Sequence, residues 1–349
     1  MLRPWWLLLL CLLLVPRWLA ADTDPPPVVA MGPTLADIRQ KGDLHCGVSP
    51  HSMHFSRMNS KGEWSGFFVD LCRGLAAALL GNPQAVVFHD ISPGTRFKAL
   101  QERQVHIVLS NTTWTPSREG SHGVLFPAIY LYDGQGVAIH GDKPWKRLMD
   151  VDDKAVVCVE PNTTSYDNLL DWAKSHGKRW QFLKLHWGGI LDGFLKGRCD
   201  LITDDRIALA GYLVNQSSDP GAYRLLEDTL SREPLGPVIL DNDVQWLRIV
   251  RLYVHALTLA EEYNLGTRET AAALPTTLSS EARRLLGLEG TVGASLGLEP
   301  DWALKALRAV GHYGEIYQRH LGEGTPLHLP RGLNAPWSRG GMMYAPAFR

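Results

Sequence analysis

The sequence has no C-x-x-C pair, so its five cysteines offer neither a zinc ribbon nor a thioredoxin-like redox centre. It has no H-E-x-x-H and no G-x-x-x-x-G-K, which removes the commonest zinc-protease and P-loop chemistries. It lacks an excess of either charge: 35 Lys and Arg stand against 36 Asp and Glu, and both signs are mixed along the chain. Nucleic acid is therefore not an expected partner, because phosphate binding needs a clustered basic surface. Beyond the first residues it also lacks any apolar run long enough to cross a bilayer.

What is present begins with a leader. Arg3 gives a positive start, Trp5 to Val15 is almost purely apolar, and the small residues Ala20 and Ala21 follow. This order is that of a secretory signal peptide over residues 1–21. Trp18 or Leu19 sits where the cleavage site prefers a small residue, and an uncleaved membrane anchor is the alternative. Cys11 lies inside the apolar run rather than after it, which is not the pattern of a lipid anchor. The remaining length suggests two domains.

Strand and helix then alternate. Leu35–Gly42 is a short helix stopped by glycine, and Leu44, Cys46 and Val48 alternate as a strand. Phe67, Leu71, Leu75 and Leu79 form the apolar stripe of a helix closed by Gly81, and Val86–Phe88 is a second strand. Such alternation predicts largely parallel sheets. Tyr130–Gly136 and Glu233–Pro237 interrupt the pattern as two crossings. Between them, Val156–Val159, Phe182–Leu185 and Leu201–Thr203 are strands, and Asn162–Ser165 caps a helix through Leu169 and Trp172. After Pro237 the chain turns helical, with a long helix through Trp246 and Leu257 and another over Trp302–Leu321, interrupted by Gly311 and Gly314. The tail after Gly332 has no periodicity and is expected to pack over one lobe.

The most informative stretch is His106–Glu119. Ile107, Val108 and Leu109 are a short apolar strand that runs into Asn111, Thr113 and Ser117 and then Arg118. Polar groups beyond the carboxyl end of a strand are how an α/β sheet presents a ligand site. A guanidinium matches a carboxylate with two parallel hydrogen bonds, so Arg118 is the candidate anion-binding group. Asn111, Thr113 and Ser117 are candidates for the neutral bonds around it. The alternative is an exposed loop with a serine cap and a solvated arginine.

Twelve runs carry a family resemblance. They are Cys46-Gly-Val-Ser49, Gly62-Glu-Trp-Ser-Gly-Phe67, Val69-Asp-Leu-Cys-Arg73, Asn111-Thr-Thr-Trp-Thr115, Ser117-Arg118, Tyr132-Asp-Gly-Gln-Gly136, Gly197-Arg-Cys-Asp200, Asp205-Arg206, Glu233-Pro-Leu-Gly-Pro237, Val310-Gly-His-Tyr-Gly-Glu-Ile316, Arg331-Gly-Leu-Asn334 and Met343-Tyr-Ala-Pro346. With them the chain resembles a periplasmic solute-binding protein of family 3, of the larger general L-amino-acid-binding type that serves ABC transporters. The resemblance implies a type II periplasmic-binding-protein fold: two α/β lobes, two crossing hinge strands, and a long helical C-terminal extension on lobe 1. Lobe 1 would take residues 22–137 and 235–349, and lobe 2 residues 138–234.

In such proteins an arginine of the first lobe takes the ligand's α-carboxylate, and Arg118 stands at that place. An acid of the second lobe takes the α-ammonium, and Asp205 matches it better than Asp204. Asn111, Thr113, Thr163 and Thr164 fall where the family places polar groups, and Thr163 opens a helix whose free N–H groups would face the carboxylate. By the same logic Phe55, Trp64, Trp114 and Tyr132 are expected to line the pocket. No cofactor and no metal is implied. The implied partners are an L-amino acid and a membrane permease, with the protein a periplasmic monomer. Four positions depart from the family pattern: Phe68, His106, Ser110 and Asn162.

Two other readings stay open. An enzyme on the same fold, of the dehydratase kind, would need an acid or base in the cleft, and His51, His54 and Glu160 are the candidates. A ligand-sensing subunit is the other. For the cysteines after the leader, Cys46 and Cys72 lie on a strand and the helix that follows it, and Cys158 and Cys199 on two strands of the second lobe. Neighbouring elements of a small lobe bring Cα atoms within disulfide range, so the expected bridges are Cys46–Cys72 and Cys158–Cys199. Buried free thiols are the alternative.

Overall fold

The computed structural model describes residues 30–349 apart from 53, 217, 218, 220, 272, 273 and 275. The leader expected over 1–21 lies outside the described residues. Among the described residues no helix is long and apolar enough to cross a membrane.

The first sheet is parallel. Strand Leu44–Val48 sits at its centre, with Val86–Asp90 on one side and Ile107–Val108 on the other. Helix Phe67–Leu80 covers it. Gly66 opens that helix at φ +132°, and a Cβ there would overlap the Phe55 carbonyl, so only glycine allows this entry. Phe55, Phe67 and Phe68 are fully buried, Phe55 stacking on Phe68 at 5.0 Å between ring centroids. Burying each such ring is worth roughly 1.5–3 kcal/mol. The departure at Phe68 is thereby explained: the position points into the core, where an aromatic ring is at home. Asp70, two residues further along, faces the other way and pairs with Arg319 and His320.

The second sheet has the order Gln181–Lys184, Val156–Val159, Leu201–Asp205, Leu131–His140, Tyr223–Leu225. Its first three strands are parallel, as alternation predicted, but Leu131–His140 runs antiparallel to Leu201–Asp205. The reason lies in that strand itself. The crossing expected as a turn over Tyr130–Gly136 is one ten-residue strand. Its first four residues pair with Arg232–Leu235, and from Gln135 onward it pairs with Leu201–Asp205. It therefore enters the second sheet from the first lobe rather than through a helix, and no crossover rule fixes its direction. The paired strands Leu131–Gly134 and Arg232–Leu235 are the two connections between the lobes.

The C-terminal third packs on lobe 1. Helix Val244–Glu262 buries Trp246, Ile249, Val250, Tyr253 and Leu257, as its spacing predicted. The helical segment over Trp302–Leu321 breaks at Gly311, φ +84°, as expected, into Trp302–Val310 and Tyr313–His320, while Gly314 lies within the second helix instead of interrupting it. The tail reaches back to the crossing. The Asn334 side chain accepts from the Tyr132 N–H at 2.7 Å and donates to the Tyr132 carbonyl at 2.9 Å, as a neighbouring strand would. Arg331 holds this turn in place through two 2.9 Å bonds to the Glu261 carboxylate.

Each lobe carries one disulfide. Cys46–Cys72 ties the central strand to helix Phe67–Leu80, with Cα atoms 6.4 Å apart. Cys158–Cys199 joins strand Val156–Val159 to the turn before Leu201, with Cα atoms 5.7 Å apart. Constraint of the unfolded chain makes bridges over loops of this size worth roughly 3 kcal/mol each.

Candidate functional site

Both sheets aim the carboxyl ends of their strands at one cleft. From the first come Ser49, Asp90, Ser110 and Asn111; from the second, Glu160, Asp204 and Asp205. The cleft encloses a volume of about 260 Å³. A small polar molecule fits such a space, and the ends of parallel strands are where α/β proteins hold ligands.

Arg118 is placed by a capped helix. Thr115 caps Pro116–His122 by accepting from the Arg118 N–H, and Pro116 occupies the first turn, where its missing N–H costs nothing. The guanidinium turns inward and donates to the Thr113 carbonyl at 2.6 Å. It is buried, and among the described residues it makes no ion pair. Burial lowers its pKa, while Glu233, Asp205 and Asp167 pull it back up.

Asp205 comes from the other lobe. It ends strand Leu201–Asp205 opposite Gln135, and it is buried. The Asn111 side-chain amide donates to its Oδ2 at 2.9 Å, which joins the two lobes across the cleft. Its carboxyl is pushed up to about 7, first by burial and then by the charge of Glu233. Burial and the nearby Asp205 charge also raise Asp204 and Asp133 well above the usual carboxylate range. The site thus concentrates acidic groups whose charge is disfavoured by burial and by one another, and which make no ion pair among the described residues.

Behind this lies a network centred on Glu233, which is buried on the return crossing. Thr113 and Ser231 donate to it in short bonds, Thr164 donates at 3.3 Å and Asn168 at 3.4 Å. Gln135, on the outgoing crossing, donates to the Ser165 carbonyl at 2.7 Å and to the Thr203 hydroxyl at 2.8 Å. Residues of both lobes and both crossings therefore share one buried polar network, and moving the lobes apart must break some of it.

The model of the bacterial extracellular solute-binding proteins, family 3, matches residues 44–157. Over 325 residues the chain is 37% identical to the glutamate/glutamine/aspartate/asparagine-binding protein BztA of Rhodobacter capsulatus, covering 92% of this chain and 94% of that one. The chain belongs to this family. It is also 34% identical over 323 residues to the general L-amino acid-binding periplasmic protein AapJ of Rhizobium johnstonii, covering 92% of this chain and 94% of that one. Among solved structures it is similar to an ABC transporter periplasmic binding protein from Brucella ovis with glutathione bound. There the TM-score is 0.86 and the identity 36%, over 90% of this chain and 99% of that chain.

In this family 3 solute-binding protein the cleft brings together Asn111, Thr113, Arg118, Thr163, Thr164 and Asp205. Thr163 is the N-cap of helix Thr164–Ser175: its hydroxyl accepts from the Tyr166 N–H and donates to the Glu160 carbonyl at 2.7 Å. Ser117 is different. It is exposed and lines a neighbouring hollow with Phe97 and His122.

The four aromatics expected at the pocket all lie elsewhere. Phe55 is in the core, and Trp64 packs on Phe88 outside the cleft. Trp114 is 45% exposed, because strand pairing at Thr113 turns its indole outward. Tyr132 belongs to the crossing held by Asn334. The aromatic walls are Trp187 and Tyr212, whose rings meet at 4.5 Å. Neither was singled out from sequence, since each reads as an ordinary apolar residue of its helix.

Of the acid–base candidates, Glu160 lines the cleft, with its carboxyl raised by burial. His54 lies off the cleft, and the side chain of His51 falls outside the described ones. The pentapeptide Gly293-Ala-Ser-Leu-Gly297 has G-x-S-x-G spacing, but Ser295 sits within helix Val292–Leu296 and donates to the Val292 carbonyl. It has no strand-to-helix elbow to expose a nucleophile.

The remaining departures find physical reasons. Asn162 adopts φ +64°, a conformation asparagine tolerates better than other residues with a Cβ. His106 accepts from the His45 N–H at 2.9 Å and bonds Asp37 at 2.7 Å, joining strand to first helix away from the cleft. Ser110 does line the cleft, and its hydroxyl bonds that of Thr112 at 2.7 Å. Arg96 and Glu233 are the charged residues that sequence reasoning missed. Glu233 stood only as part of a matching run, and Arg96 in no motif at all.

Proposed function

We propose that this protein captures polar L-amino acids outside the cytoplasm and delivers them to the membrane permease of an ABC transporter. The α-carboxylate sits on Arg118 and the α-ammonium on Asp205. One observation carries this reading: two buried side chains of opposite charge reach one cleft from separate lobes, and neither is in an ion pair among the described residues. A zwitterion satisfies both. Leaving either unmatched in a closed cleft costs several kcal/mol, so a ligand lacking one group is rejected. The lobes divide near residues 137 and 234. The N-terminal N–H groups of helix Thr164–Ser175 add to the carboxylate side. Glutamate, glutamine, aspartate, asparagine and other L-amino acids in the relatives' names, and the γ-glutamyl head of glutathione, all present this pair of groups. The protein works as a periplasmic monomer after loss of residues 1–21, without a metal, a cofactor or nucleic acid.

The test is a thermal-shift and calorimetric screen of L-amino acids, sugars, peptides and metal salts. Polar L-amino acids are expected to stabilise the protein at one ligand per chain, with no product formed. Stabilisation by sugars or metals and by no amino acid would sink the reading.

A proton accompanies this binding. Asp205 titrates near 7 when free, against an ordinary value of 3.8. A carboxyl raised on folding stabilises the free protein at low pH, and that contribution is lost as pH rises from about 4 to about 7. The ammonium needs the charged form, so binding at pH 6 expels a proton. Calorimetry at pH 6 in two buffers of different ionisation enthalpy is expected to give different apparent enthalpies, and Asp205→Asn to remove the difference. Equal enthalpies for the wild-type protein would exclude this linkage.

A further inference from the structure

The cleft holds a second guanidinium whose chemistry is not yet accounted for. Arg96 opens helix Arg96–Gln101 and is only 3% exposed. Its Nη1 donates to the Asn111 carbonyl at 3.3 Å and to the Thr112 hydroxyl at 3.2 Å, and the aromatic ring of its neighbour Phe97 lies under the cation at 5.1 Å. These partners are neutral. Its Nε is buried without any hydrogen-bond partner, and among the described residues Arg96 makes no ion pair. A buried guanidinium with five donors and so few acceptors is costly unless something else completes it. Burial and the neighbouring Arg118 lower its pKa to about 9, which leaves it charged at neutral pH. Glu160 lines the cleft too and is felt at Arg96, but it forms no direct pair with it.

Resting on the reading that Arg118 and Asp205 hold the ligand's backbone, we infer that Arg96 selects its side chain. It receives a terminal carboxylate or carboxamide oxygen, so the preferred ligands are the dicarboxylic amino acids and their amides. The guanidinium only donates, which fixes the group it meets as an acceptor. A cationic side chain meets two like charges, Arg96 and Arg118, on the same wall. A carboxylate or carbonyl oxygen supplies the missing acceptor, and Ser110, small and hydroxylic, leaves room beside it. Arg96 is thus a specificity-determining residue that sets which amino acid is held, while Arg118 sets that one is held.

The experiment compares L-glutamine, L-glutamate and L-norvaline, the last matching glutamine in chain length without its polar end. Affinities are measured by calorimetry for wild type, Arg96→Met, Arg96→Lys and Arg118→Ala. Hydrogen bonds to a charged group suggest that Arg96→Met loses about ten- to a hundredfold for glutamine and glutamate. Norvaline is expected to be nearly unaffected, so the preference between the ligands collapses. Arg96→Lys is expected to recover part of the preference for glutamate and less for glutamine. Circular dichroism melts establish that each variant is folded, and Arg96→Lys decides the matter if Arg96→Met is not. An equal loss for all three ligands would place Arg96 on the α-carboxylate and overturn the inference, as would an unchanged preference. Wild-type protein that binds none of the three would instead bring down the underlying reading.

Discussion

Arg118→Ala is expected to leave almost no affinity for any L-amino acid. On the proposed reading Arg118 meets a carboxylate that is buried on binding, and removing its partner strands that charge in a desolvated cleft. Breaking a buried pair in this way costs roughly 3–5 kcal/mol, or about two to nearly four orders of magnitude in affinity. Arg118→Lys is expected to recover only a minor part. Its ammonium is a point charge on a flexible stem and cannot give two parallel bonds, nor can it hold the Thr113 carbonyl at the same angle. The fold should survive both changes, because the helix that carries Arg118 is capped by Thr115 and started by Pro116. Calorimetry with a panel of amino acids reads the effect. Wild-type affinity in Arg118→Ala defeats the proposed mechanism.

The second large effect is expected from Asp205→Ala, which should weaken binding by a similar factor and also change how the lobes respond to ligand. Asp205 belongs to the second lobe and accepts from Asn111 of the first. A ligand held on Arg118 and Asp205 is therefore a tie between the lobes, added to those through Glu233. A ligand drives closure only by contacts it makes in the closed state and not in the open one. With Asp205 gone, the ammonium has no charged hold on the second lobe, so occupancy and closure come apart. Small-angle scattering is expected to show the radius of wild type falling on saturation with glutamine. Asp205→Ala, saturated at higher concentration, is expected to show a smaller fall. The flexing points are the paired strands Leu131–Gly134 and Arg232–Leu235. An unchanged wild-type radius on saturation would remove hinge closure from the mechanism.

The C-terminal extension bears on the same hinge. Asn334 occupies the free edge of the outgoing crossing at Tyr132, whose N–H and carbonyl both turn away from the paired strand Arg232–Leu235. The tail thus satisfies the backbone of a strand edge that faces no neighbouring strand. It explains why a segment without periodicity is nevertheless ordered against lobe 1, with Met343 and Phe348 buried.

Much of this was legible in the sequence because it rests on local rules. Apolar spacing and glycine stops gave helix Phe67–Leu80 and strand Leu44–Val48, whose residues repeat at helical and strand periods. Threonine before an apolar helix gave the cap at Thr163, and a polar loop after a buried strand gave Asn111, Thr113 and Arg118. Other features were decided only by the tertiary structure. The direction of Leu131–His140 in the second sheet depends on where that strand begins, in the other lobe, which no local pattern records. Trp187 and Tyr212 rather than Trp64 and Trp114 line the cleft, because a ring's apolarity says that it packs but not against what. Arg96 drew no notice in a short charged helix. Only burial beside Arg118, without a charged partner, turns it from a surface residue into part of the site. Local periodicity fixes which residues are inside, whereas the identity of their neighbours is set by how two distant sheets meet.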